Sequence, residues 1–112
     1  MAKRAARAQE IDPLFAPVCS ALRRDSTVTE SKMFGSPGLK VRGRVFAMLV
    51  KGKLVVKLPR ARVDGLVASG TGEYFDPGHG RLMKEWVAIG VAAKKEWTAL
   101  AREARDFVSS SG

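Results

Sequence analysis

The sequence predicts an α+β domain, an antiparallel β-sheet packed by helices. Three observations lead there. Two dense apolar runs, Val45–Val50 and Leu54–Val56, flank Lys51-Gly52, a two-residue connection that suits a tight hairpin. Ala93, Trp97, Leu100, Ala104, Phe107 and Val108 recur at helical spacing near the C-terminus, with charged residues filling the positions between them. The elements in order read helix, three strands, helix, one or two strands, helix (α-β-β-β-α-β(-β)-α), with no internal repeat and no linker, so residues 1–112 form one domain.

The first helix starts at Asp12-Pro13, with Asp as N-cap and Pro at the first helical position. Leu14, Phe15, Val18, Ala21 and Leu22 make its stripe, and Arg23-Arg24 suits its C-terminal dipole. Cys19 lies beside that stripe and reads as a small core filler. Residues 1–9 and 109–112 read as flexible ends.

Thr29–Phe34 is a short strand, Gly35–Gly38 a turn cluster and Leu39–Arg42 a second strand. Arg42-Gly43 is a tight turn into the central hairpin. Alternation across that hairpin places Val45, Ala47, Leu49, Leu54, Val56 and Leu58 on one face, to be buried by helices. The other face carries Phe46, Met48, Val50, Lys53, Val55 and Lys57. The Arg42-Gly43 turn sets Lys40 beside Val45 on the buried face. Either Lys40 reaches water at the sheet margin, or a bulge or longer loop shifts the register.

Pro59-Arg60 opens a second helix with Val63, Leu66 and Val67 inward, Asp64 outward and Gly70 as its stop. Gly65 either weakens this helix by about 1 kcal/mol relative to Ala or permits close packing on the sheet. Thr71–Gly80 reads as a loop holding Tyr74-Phe75. Arg81–Ile89 returns as a strand, offering Met83, Trp86, Ala88 and Ile89 for burial.

Charge and composition limit the function classes. The net charge is +9, and Lys40–Arg62 holds eight Lys/Arg residues with no Asp or Glu. Such a block favours an anionic partner or simply keeps strand margins solvated. No apolar run approaches the roughly 20 residues of a membrane span, and no signal core follows the basic N-terminus. A lone cysteine excludes an intramolecular disulfide and fits a reducing cytoplasm. With a single histidine, a Cys/His zinc site is not expected, and no cofactor motif is present. His79, in Asp76-Pro77-Gly78-His79-Gly80-Arg81, lacks a positioned nucleophile and reads as part of a turn.

The string Met33-Phe34-Gly35, then Gly38, Gly43, Val45-Phe46-Ala47, Leu54 and Lys57, resembles the N-terminal domain of the TfoX/Sxy family. Phe75, Gly80-Arg81 and Met83 match that family's later segment, so the resemblance runs from Val28 to Ala88. Lys84-Glu85-Trp86 is closer to the MmcQ/YjbR-like proteins of the same secretion-chaperone type of architecture. The resemblance implies a regulatory module tied to competence control, and the end at Gly112 implies one without the family's second domain. The expected function is non-enzymatic recognition of a protein partner, or of a second copy, through Phe46, Met48 and Val55 with Lys53 and Lys57. The alternative is nucleic-acid binding by the basic stretch Lys40–Arg62. The anion-binding candidates are Lys40, Arg42, Arg44, Arg60, Arg62, His79 and Arg81. No membrane or small-molecule partner is expected.

Overall fold

Two short turns set the register of the sheet. Arg42-Gly43 and Lys51-Gly52 both have positive φ at both positions (53° and 79°; 51° and 79°), the type I′ geometry whose twist matches antiparallel strands. Glycine meets the second requirement without steric cost. Around them the computed structural model, which describes residues 13–33, 36–76 and 83–110, builds a six-stranded antiparallel sheet covered by three helices.

The strands are β1 (Val28–Met33), β2 (Ser36–Val41), β3 (Arg44–Val50), β4 (Lys53–Lys57), β5 (Gly72–Phe75) and β6 (Met83–Ile89). The helices are α1 (Ala16–Leu22), α2 (Arg60–Ala68) and α3 (Trp97–Ser110), the last entered through a 3₁₀ segment, Val91–Glu96. Four strands precede α2, matching the four runs read one by one, although the element order read from the sequence counts three. The spatial order is β1-β2-β3-β4-β6-β5, so β6 inserts between β4 and β5.

Three expectations about elements need correction. Ser36, Pro37 and Gly38 belong to β2, where Met33 pairs with Ser36, Lys32 with Pro37 and Ser31 with Gly38. Pro37 is tolerated there because pairing with β3 begins at Gly38. Gly72–Phe75 is an edge strand rather than loop, held by β6 alone. Helix α1 starts at Ala16, which places Pro17 in its first turn, where a missing N–H costs least. At the other end α3 runs on to Ser110, whose hydroxyl donates to the Asp106 carbonyl at 2.8 Å. The expected cap Asp12 and the expected flexible residues 1–9 lie outside the described residues.

The Lys40 conflict is resolved by a bulge in β3. Lys40 pairs with Val45 and Leu39 with Ala47, leaving Phe46 as the extra residue. Lys40 and Val45 therefore share the half-exposed face, and Phe46 is 0 % exposed within the core. The expected positions of Val45 and Phe46 are thus exchanged. Ala47, Leu49, Leu54, Val56 and Leu58 are buried on the helix side as expected, joined by Val87 and Ile89 of β6.

All three helices contribute to that one core. Helix α3 lies across β2, β3 and β4, α2 covers β5 and β6, and α1 packs on α3. The stripe on α3 is Trp97, Leu100, Ala101, Ala104 and Val108, with Phe107 partly buried. The Trp97 indole donates to the Gly90 carbonyl at 3.2 Å, so its one polar atom is satisfied. Helix α2 ends in a Schellman motif: Thr71 N–H bonds to Leu66 O and Gly70 N–H to Val67 O, with Gly70 at φ 80°. A Cβ at Gly65 would meet nothing within 4 Å, so this glycine serves no close packing. Two N–H groups of Arg62 clamp the Glu103 carboxylate at 3.0 Å each, tying α2 to α3.

Candidate functional site

Among the described residues no helix covers the second face of the sheet. Strict alternation on β4 sends Lys53, Val55 and Lys57 there, opposite the core residues Leu54 and Val56. The pairings Val55↔Ala88 and Lys57↔Trp86 bring Ala88 and Trp86 of β6 onto the same surface. Val50 and Met48 join them from β3, through the pairings with Lys53 and Val55, and Val45 and Lys40 extend the surface toward the Arg42-Gly43 turn. Val55 and Ala88 are 1 % and 6 % exposed and stand outside the core cluster.

The result is an apolar strip with lysines at both ends. Val45, Met48, Val50 and Trp86 are half-buried, as are Lys40, Lys53 and Lys57. Lys57 lies over the Trp86 ring, its Nζ 6.0 Å from the centroid, a cation–π contact at the edge of the useful range. Lys53 is paired with Glu73 of β5. Among the described residues no carboxylate pairs with Lys40 or Lys57.

Of the expected partner-binding residues, Met48, Val55, Lys53 and Lys57 do share this face. Phe46 does not; the bulge gives it to the core. Trp86, offered for burial without a choice of face, lies half-buried on this same face. Its signal was parity, since Val87 and Ile89 take the core side of the same strand.

The basic block Lys40–Arg62 is dispersed by the fold. Arg42 and Arg44 are exposed at the β2–β3 turn and Lys51 at the β3–β4 turn. Arg60 and Arg62 stand on α2, and Arg62 is engaged by Glu103. His79 and Arg81 lie outside the described residues.

Other features offer less chemistry. Cys19 is buried, and burial pushes its thiol up to about 11, with Glu30 adding to the effect and Arg23 opposing it. The Tyr74 hydroxyl donates to Asp64 at 2.5 Å, and this bond, more than desolvation, raises its pKa. Asp25 accepts from the backbone and hydroxyl of Thr27, at 2.9 and 2.6 Å, which lowers its pKa and closes the α1–β1 turn. A shallow depression of about 510 Å³ runs along Ser69–Glu73, Ala88 and Gly90, but the Ser69 and Thr71 hydroxyls there bond to each other. Among the described residues, no helix is long and apolar enough to cross a membrane.

No curated protein matches the chain. The family model described as the TfoX N-terminal domain matches residues 20–108, from within α1 almost to the end of α3.

Proposed function

The chain belongs to the TfoX N-terminal domain family, and from that membership and the sheet face that no described helix covers we propose a non-enzymatic regulatory module that acts in the cytoplasm by binding a protein partner. The observation that carries this reading is the one-sided packing of the sheet. Three helices share one core, while Met48, Val50, Val55, Trp86 and Ala88 line the face opposite. An apolar strip with a charged margin is the composition of a recognition surface, with an aromatic and a methionine among its contacts. Nothing in that strip resembles a nucleophile held beside a base. The reading is therefore of a platform that holds a partner.

The test compares capture by the native chain with capture by a Met48→Ser, Trp86→Ser double variant that retains the native circular dichroism spectrum. A Lys51→Gln variant serves as the surface control. Proteins retained by the native chain and by Lys51→Gln but lost from the double variant support the reading. Equal retention by all three removes it. Nucleic-acid binding through Lys40–Arg62 is the second reading, favoured by the net charge of +9. It requires affinity that falls steeply between two salt concentrations, and absence of binding at low salt eliminates it.

A further inference from the structure

The charges around the open face specify what kind of segment it accepts. Lys40 and Lys57 stand near the same end, one paired with Val45 and the other ending β4. Their strands, β2 and β4, are separated by β3 and so lie about 10 Å apart. Neither has a carboxylate partner among the described residues. At the opposite end Lys53 is already matched by Glu73. The face is thus cationic at one end, balanced at the other and apolar between.

We propose that this face seats an acidic amphipathic helix of a partner protein. Its apolar side would lie on Met48, Val50 and Trp86, and its carboxylates would meet Lys40 and Lys57. The proposal rests on the partner-binding reading above and narrows it. Three arguments select this occupant. A helix packs face-on against a sheet, whereas an extended strand adds at an edge. A second copy would bring Lys40, Lys53 and Lys57 against their own counterparts, in a molecule already carrying +9. A nucleic acid strand needs stacking surfaces, yet the strip is mainly aliphatic and Lys57 lies over its tryptophan.

Lys57 also makes docking observable. A carboxylate that draws its ammonium off the ring uncovers Trp86 to the incoming apolar side chains. Trp97 is buried against Gly90 and stays silent.

The experiment uses a synthetic peptide of about 18 residues, with leucines along one helical face and glutamates beside them. An otherwise identical peptide carrying lysines and an oligothymidylate of about 15 nucleotides are the comparisons. Amide chemical shifts and tryptophan fluorescence report binding to the full chain. The acidic peptide is expected to shift Met48, Val50, Val55 and Trp86 and to change the fluorescence. A Lys40→Glu, Lys57→Glu variant should bind it about tenfold more weakly and bind the lysine peptide instead. Native-like amide spectra of that variant establish that it folds. Equal binding of both peptides, shifts confined to other surfaces, or preference for the oligonucleotide each overturn the proposal. So does self-association of the native chain that shifts these same residues. Were the acidic peptide to fail while partner capture still depended on Met48 and Trp86, the helix assignment alone would fall and the broader reading would stand.

Discussion

Replacing Phe46 with alanine tests the register on which the open face depends. The β3 bulge buries Phe46 completely and leaves its neighbour Val45 half-exposed beside Lys40. Truncating a fully buried phenylalanine removes its transfer free energy and leaves a cavity, a combined loss of about 3–5 kcal/mol. Val45→Ala removes two methyl groups from a site already partly wet, at a cost below about 1 kcal/mol. The contrast is large against a total stability of about 5–15 kcal/mol for a domain. At about 4 °C per kcal/mol for this size, Phe46→Ala should lower Tm by about 12–20 °C. Urea denaturation followed by far-ultraviolet circular dichroism, with matching m-values, measures both variants. If Val45→Ala costs as much as Phe46→Ala, or if Phe46→Ala costs less than about 1 kcal/mol, the bulge is misplaced. The open face would then have a different membership.

Gly65→Ala should stabilise the protein by about 0.5–1 kcal/mol, because the added methyl meets open space on a helix; a loss in the same denaturation assay contradicts that. Tyr74 is the only tyrosine, so tyrosinate absorbance reports it alone. Its folded pKa is raised by the bond to Asp64, so the bond's stabilisation is complete below the unfolded value of about 10. It is lost as pH rises through the higher folded value. The titration midpoint should lie above 10 and fall toward it in Asp64→Asn; an ordinary midpoint in the native chain refutes the bond. Cys19, buried and with its thiol raised to about 11, should react with a disulfide reagent only as fast as the domain opens. Immediate reaction under native conditions, at the rate of an exposed thiol, contradicts the filler role.

The turns were legible because their chemistry is local. Arg42-Gly43 and Lys51-Gly52 need only two consecutive positive φ values, and a glycine at the second position announces them. The α3 stripe was legible because Trp97, Leu100, Ala104 and Val108 repeat at helical spacing over three turns. The side chosen by Phe46 was not, since it depends on a competition between Lys40 for water and Phe46 for the core. Only the parity conflict at Lys40 hinted at the answer. Strand β5 was missed because four residues, Gly-Glu-Tyr-Phe, carry no pattern of their own and take their geometry from β6. For the site, alternation on β4 identified Val55, Lys53 and Lys57. Trp86 is not placed by sequence, because hydrophobicity without register does not say which face a bulky indole takes.

The insertion of β6 between β4 and β5 has a consequence for biosynthesis. As the chain leaves the ribosome, β1–β4 can zip as a meander, but the outer side of β4 waits for residues 83–89 before it gains a neighbour. Until then Leu54, Val55 and Val56 lie along a bare rim that invites pairing with another nascent chain. Lys53 and Lys57 bracket that rim, and such flanking charges are the usual gatekeepers against aggregation. The same two lysines would thus guard the half-made polypeptide.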